Sequence, residues 1–200
     1  MTAPRRETIP PVPARDANPF GVRPSEWLLA KRAYIALGSN LGEREANLLA
    51  AIEQLESLGI GRLCAMSSLY ETAARYVEDQ PDFVNAVAAI DTQLSPEQLL
   101  SKLLDLEVAL GRDRLTGLRY GPRTLDLDLL LMGDQICDSE LLTLPHPRMQ
   151  ERRFVLEPLC EIAPQLVHPI LQLSMASLLA QCADQTPPRR LPPFLGNRGE

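Results

Sequence analysis

Between Gly121 and Met132 the chain reads Gly-Pro-Arg-Thr-Leu-Asp-Leu-Asp-Leu-Leu-Leu-Met, and no other run constrains its fold as strongly. Side chains of a strand alternate between two faces, so the pattern predicts a strand over 123–132. Leu125, Leu127, Leu129 and Leu131 should share one face, and Asp126 and Asp128 the other. A pure leucine face has to be covered by a second layer, which places the run in a sheet with at least one packed side. Gly121-Pro122 shapes the chain just before it. The two carboxylates would stand with Cα atoms roughly 6.5–7 Å apart, close enough to repel unless something cationic lies between them.

A divalent metal meets that requirement. Magnesium takes oxygen ligands, commonly uses one or two carboxylates, and leaves its other positions to water and substrate phosphates. Arg112, Arg114, Arg119 and Arg123 lie just upstream or at the start of the run, and their planar guanidinium groups match phosphate oxygens. Metal plus arginine clamps is the composition that neutralises a polyphosphate during transfer. The same residues also fit a simpler pattern, the wet face of an amphipathic strand beside a solvated arginine loop.

At 200 residues the chain can bury one good core. Residues 1–30 hold six prolines, and Pro187-Pro188 and Pro192-Pro193 repeat the habit near the other end. These compositions predict a Pro-rich, disordered extension over 1–31, a folded domain over 32–183 and a loosely ordered tail over 184–200. The first segment has no apolar stretch of the secretory kind and carries Glu7, Asp16 and Glu26, which argues against a secretory signal and leaves organellar targeting open. No run is long enough to span a bilayer. Cys64, Cys137, Cys160 and Cys182 are widely spaced, as expected of thiols in a reducing compartment rather than of a zinc site. These points predict a cytoplasmic protein. A net charge of −6 argues against a general nucleic-acid binder and favours a small anionic ligand.

Ala33–Leu37 reads as a strand, stopped by Gly38-Ser39-Asn40-Leu41-Gly42. A helix follows, with Asn40 and Glu43 spaced as a cap and Leu48, Leu49, Ile52, Leu55 and Leu58 at helical spacing before Gly59. Residues 60–71 and 83–92 read as strands. Ser95-Pro96-Glu97 opens a second helix whose Leu99, Leu103, Leu106 and Leu110 point inward, and Gly111 closes it. The strand at 123–132 completes a β-α-β-β-α-β order. That order predicts an α+β, ferredoxin-like sandwich, with a hairpin after 133 and helices near 148–162 and 173–182. Both helices should cover one sheet face and leave the other for a ligand. Such a fold serves many purposes, RNA binding among them, and does not fix an activity.

Six separated segments, in this order and spacing, carry a resemblance. They are Ala36–Gly42, Asp79–Ala86, Glu107 with Gly111–Arg114, Gly121–Asp128, Leu144–Met149 and Arg152–Leu159. Together, over roughly residues 33–170, they resemble the 6-hydroxymethyl-7,8-dihydropterin pyrophosphokinases of folate biosynthesis. The resemblance implies a Mg-ATP enzyme that moves the β,γ-diphosphate as a unit onto the pterin hydroxymethyl oxygen and releases AMP. It implies Asp126 and Asp128 as ligands of Mg2+, with two ions expected. It gives Arg112 and Arg123 catalytic contact with the phosphates, and it assigns ATP binding to Glu107, Arg112, Arg114, Arg123, His146 and Arg152. Without the family, Glu107 would read as an ordinary exposed helix acid and His146 as a turn cap between Pro145 and Pro147.

For the pterin, the resemblance points to Phe83 and Phe154 on the ring faces and to Asn85 and Thr72 at the edge. A flat ligand with polar edges needs that combination of rings and amides. Asn85 also falls on the same strand face as Phe83, where a buried amide must find partners. The family comparison further favours a monomer that acts on ATP and the pterin without nucleic acid or membrane, and the length leaves no room for an attached second enzyme of the pathway. Ala73-Ala74 and Tyr120 depart from the family's usual proline and tryptophan, and the loop between Arg114 and Arg119 is one residue longer. Two rival activities share some of these features. A metal-dependent phosphohydrolase could use the same aspartates, and a ferredoxin-like binding module would want more aromatics and a basic face.

Overall fold

The computed structural model describes residues 29–74, 80–112 and 121–193. Strand β1 (Lys31–Ser39) leads to helix α1 (Arg44–Ser57), then β2 (Arg62–Met66), β3 (Tyr70–Thr72) and β4 (Phe83–Thr92). Helix α2 (Pro96–Ala109) and strand β5 (Asp126–Met132) follow. Beyond them lie the short hairpin β6 (Cys137–Asp138) and β7 (Thr143–Leu144), helices α3 (Arg153–Ile162) and α4 (Met175–Gln181), and β8 (Arg189–Arg190). The chain is a mixed α/β protein built on an antiparallel sheet, with four α-helices among the described residues. Strand β1 lies between β4 and β5, β4 also pairs with β2 and β3, and β3 pairs on its far side with β8.

Each face of the sheet has its own core. Ala33, Ile35 and Leu37 of β1 and Val84, Ala86, Ala88 and Ile90 of β4 share one cluster with Leu48, Ile52 and Leu55 of α1 and Leu99, Leu103 and Leu106 of α2. The helical residues recur at three- and four-residue intervals, so one stripe of each helix meets the sheet. Helix α2 starts as its sequence predicts: the Ser95 hydroxyl accepts from the Gln98 amide, the Gln98 side chain accepts from the Ser95 amide, and Pro96 occupies the first turn. On the opposite face Tyr34, Val87, Ala89, Leu130 and Leu131 pack against Val155, Leu156 and Leu159 of α3 and Met175 and Leu178 of α4. The second face is therefore only partly open. It stays uncovered at one end, where β1 finishes and β4 and β5 begin.

Five local expectations are corrected. Asn40 does not cap α1; Glu43 occupies the cap position without a side-chain cap hydrogen bond, because the Asn40 amide is engaged elsewhere. The strand expected over 60–71 is divided into β2 and β3, and the strand expected from 123 begins at Asp126. Leu131 does not share a face with Leu125, Leu127 and Leu129. The pairing shifts by one residue between Tyr34 and Ile35, whose partners are Leu131 and Leu129, so Leu130 is a bulged extra residue and Leu131 turns towards α3 and α4. The expected loose tail over 184–200 contains an ordered strand: Arg189 and Arg190 pair with Glu71 and Tyr70, because the free edge of β3 offers backbone partners. The hairpin after 133 and the two terminal helices occur where expected. Residues 1–28 of the predicted extension lie outside the described residues, and Lys31 already belongs to β1.

Candidate active site

The uncovered end of the second face gathers side chains from three strands because Gly38 pairs with both Asn85 and Asp126. Residues directly opposite in a sheet present their side chains to the same face. A Cβ at Gly38 would stand 3.2 Å from Asn85 Oδ1 and 3.8 Å from both the Asp126 Cβ and the Phe83 ring, so only a hydrogen atom fits comfortably at this convergence. Asn40, one residue past β1 and 1% exposed, ties the surrounding segments together. Its Oδ1 accepts from the Arg123 amide at 2.8 Å, its own amide donates to the Arg123 carbonyl, and its Nδ2 donates to the Pro81 carbonyl and Gln80 Oε1. The segment carrying Arg123 is thus fixed to the end of β1 before β5 begins.

Asp126 and Asp128 project from β5 on one face, as the alternation predicts. Arg112 Nη1 donates to Asp126 Oδ1 at 2.6 Å, and Arg123 Nη1 donates to Oδ2 at 3.2 Å. The Arg112 guanidinium is itself held by Glu107. Glu107 is 1% exposed, and its Oε1 also accepts from the Leu127 amide at 2.7 Å, so it is no ordinary solvated helix acid. Among the described residues, Arg123 Nε is buried without a hydrogen-bond partner.

Asp128 faces a second cationic group, with Arg152 Nη1 at 3.6 Å and His146 Nε2 at 4.0 Å from its Oδ2. Loss of water around the Asp128 carboxyl and repulsion from Asp126 push its pKa upwards, against the opposing pull of His146, Arg152 and Arg112. Burial pushes the His146 pKa down, reinforced by Arg152 and Arg148 and opposed by Asp128. The Arg148 amide donates to His146 Nδ1 at 3.2 Å, which leaves Nε2 as the nitrogen that carries hydrogen towards Asp128. His146 therefore caps its turn and reaches the site at once.

Two cavities meet at the aspartates. The first, about 270 Å3, is lined by Thr72, Phe83 and Phe154 together with Arg112, Arg123, Asp126, Asp128, His146 and Arg152. The Arg123 and Arg152 guanidinium groups lie over the Phe83 and Phe154 rings at 5.4 and 5.7 Å from their centroids. Asn85 stands beside this cavity and donates from Nδ2 to Thr72 Oγ1 at 2.9 Å. The second, about 340 Å3, lies along α2 and is lined by Leu100, Leu104, Glu107, Leu142, Thr143 and Pro147. Arg112, Asp126, Asp128 and His146 line both.

The aspartates fit a hard, oxygen-seeking cation. They are adjacent carboxylates on a shared wall, and among the described residues no cluster of three or more His, Cys, Asp or Glu side chains forms an all-protein cage. A cation held there would depend on water and ligand oxygens for the rest of its shell, the usual habit of magnesium. Of the residues singled out from sequence, Arg114 and Arg119 lie outside the described residues, and the candidate metal, phosphate and pterin residues that are described come together around these two cavities. Sequence reasoning missed Gly38, the role of Asn40 and the aliphatic wall of Leu100 and Leu104. The Gly-Ser-Asn after a strand was a signal for Asn40; the two leucines carried none, because their spacing on α2 is that of any helix.

Residues 34–164 match the family model described as 7,8-dihydro-6-hydroxymethylpterin-pyrophosphokinase. A 2-amino-4-hydroxy-6-hydroxymethyldihydropteridine pyrophosphokinase of Pseudomonas aeruginosa is 47% identical over 154 residues, covering 77% of this chain and 93% of that protein. The folic acid synthesis protein fol1 of Pneumocystis carinii is 47% identical over 151 residues, covering 76% of this chain; the matched part is 20% of that longer protein. In three dimensions the chain resembles the HPPK-DHPS of Plasmodium falciparum solved with pteroate, at a TM-score of 0.58 and 16% identity, over 76% of this chain and 42% of that one. That likeness concerns the fold alone.

Proposed function

We infer that this chain, which belongs to the 7,8-dihydro-6-hydroxymethylpterin-pyrophosphokinase family, transfers diphosphate from ATP to the hydroxymethyl group of 6-hydroxymethyl-7,8-dihydropterin and releases AMP. The observation that carries this reading is the shared wall: Asp126, Asp128, Arg112 and His146 border both cavities, so two ligands can meet across them. The ring-lined cavity with Phe83, Phe154, Thr72 and nearby Asn85 suits a flat pterin with hydrogen-bonding edges. The cavity lined by Leu100 and Leu104 suits the nucleoside of ATP, with Glu107 holding Arg112 between the two.

In the reaction the hydroxymethyl oxygen forms a bond to the β-phosphorus and gives up its proton to solvent, while the bond from that phosphorus to the α-phosphate bridging oxygen breaks and AMP leaves with those electrons. The protein supplies position and charge. Arg112 and Arg123 approach the phosphates from the Asp126 side, Arg152 and His146 from the Asp128 side, and Arg114 belongs to the same nucleotide set. Asp126 and Asp128 would hold Mg2+, two ions in our reading, whose charge when bound offsets that of the triphosphate. The β-α-β-β-α-β order, with α1 and α2 on one face and β1 between β4 and β5, supports a ferredoxin-like description of the part up to β5. Among the described residues no helix is long and apolar enough to cross a membrane, and we read the protein as a cytoplasmic monomer.

Incubation with Mg-ATP, with and without the pterin, tests the reaction. AMP and pterin diphosphate should form only when the acceptor is present. Phosphate release that ignores the acceptor would instead identify a hydrolase.

A further inference from the structure

Strand β8 lies beyond the 34–164 segment that matches the family, yet it closes the edge of the strand that carries Thr72. On one side β3 pairs with β4, setting Thr72 opposite Phe83 and Tyr70 opposite Asn85. On the other, Glu71 and Tyr70 pair with Arg189 and Arg190, and the Leu191 amide donates to the Leu69 carbonyl at 2.8 Å. A three-residue strand has little pairing of its own, so a second neighbour fixes it far better than one.

The side chains extend this grip to both strands bordering the ring-lined cavity. Arg189 pairs with Glu71, which also holds Arg44 at 3.1 Å; Arg44 in turn donates to the Asp82 carbonyl at 2.7 Å, next to Phe83. Arg190 donates from Nη2 to Ser68 Oγ and to Glu161 Oε1 of α3 at 2.6 and 2.8 Å. Glu161 also accepts from the Ser68 amide and the Tyr70 hydroxyl, both at 2.9 Å. One chain of contacts thus runs from β8 through Glu71 and Arg44 to the start of β4, and another runs through Ser68 to α3.

We propose that β8 is a positioning clamp for the pterin edge, with Arg189 and Arg190 holding β3 so that Thr72 and Asn85 keep their hydrogen-bonded arrangement. The proposal rests on the assignment of that cavity to the pterin. Neither arginine touches the cavity; both are surface groups, 67% and 63% exposed at their side chains, and such groups contribute little to overall stability. Loss of the clamp should therefore appear in pterin recognition before it appears in unfolding.

The test compares full-length wild type, the Arg189→Ala/Arg190→Ala double variant, the Arg189→Lys/Arg190→Lys pair and a chain ending at residue 183. The double alanine variant should raise the KM for the pterin about five- to tenfold, with kcat and the KM for ATP within about twofold. The lysine pair should recover part of the loss, and the truncated chain should equal or exceed the alanine variant. An unchanged pterin KM in the double alanine variant, or equal rises for pterin and ATP, would overturn the clamp whatever the truncated chain does. Wild-type enzyme that makes no acceptor-dependent AMP would sink the reading of the reaction instead; the clamp would then be judged by hydrogen exchange at the Thr72 and Asn85 amides, which must quicken in the double alanine variant.

Discussion

Glu107 holds Arg112 and the backbone of β5 with the same carboxylate oxygen: Oε1 accepts from Arg112 Nη1 and from the Leu127 amide. Helix α2, the first residue of the arginine segment and the aspartate strand therefore meet at one buried atom. Removing it by Glu107→Ala leaves an amide unsatisfied and the Arg112 guanidinium with Asp126 as its remaining carboxylate partner. The expected loss of stability is about 2–4 kcal/mol, read from urea unfolding. Glu107→Gln, which keeps an acceptor, should cost less stability while still weakening turnover, because Arg112 loses one of its two charged partners.

Asp126→Ala and Asp128→Ala should each lower kcat by about a thousandfold or more, with far-ultraviolet circular dichroism unchanged. Both side chains face the cavities, not the cores, so the fold has no need of them. Chelation of Mg2+ should abolish AMP formation in wild type and be reversed by adding the ion back. Near-normal turnover in either variant would remove the aspartates from the proposed metal platform.

Away from the site, the Asp91 carboxyl is held down to about 2 by hydrogen bonding from Arg32, with help from Arg62. A depressed carboxyl stabilises the fold above its ordinary value, and that contribution disappears as the pH falls through the native value. Wild type should thus exceed Asp91→Asn by about 1–2 kcal/mol near neutrality, after allowance for the exposed arginines. The gap should narrow between about pH 4 and pH 2, as measured by urea midpoints. A gap independent of pH would show that charge is not its source.

Gly38→Ala probes the convergence of the three strands. The added methyl would press on Asn85 Oδ1 at 3.2 Å, and the amide must shift to admit it. We expect a rise of about three- to tenfold in the pterin KM and a stability loss of about 1 kcal/mol, since small insertions into packed sites are felt locally. A KM unchanged by this substitution would separate Asn85 from pterin recognition.

Much of this was legible in the chain because period-2 and period-3.6 patterns report burial directly. The alternation of Leu125 to Leu129 with Asp126 and Asp128 survives intact in β5, and the Ser95 cap and the α2 stripe follow from local chemistry. Leu131 was misread because a bulge depends on the partner strand, and nothing in a run of three leucines marks which one is extra. Asn40 looked like a helix cap because its spacing to Glu43 is right; its true partners, Arg123 and Pro81, are some forty to eighty residues away. Arg189 and Arg190 read as tail because two prolines precede them, although the same prolines keep the segment extended and ready to pair. Long-range pairing of this kind leaves no local pattern.

The bulge at Leu130 divides β5 into two independently indexed halves. Before it, the reading frame of the strand is set by chemistry, since a slip of one residue would turn both aspartates into the helical core. After it, the frame is set by packing, with Leu131 committed to α3 and α4. Leu131, beyond the bulge, can therefore exchange for another aliphatic residue without disturbing the carboxylates. Deleting Leu130, by contrast, would merge the two frames and force the strand to choose between its ligands and its core.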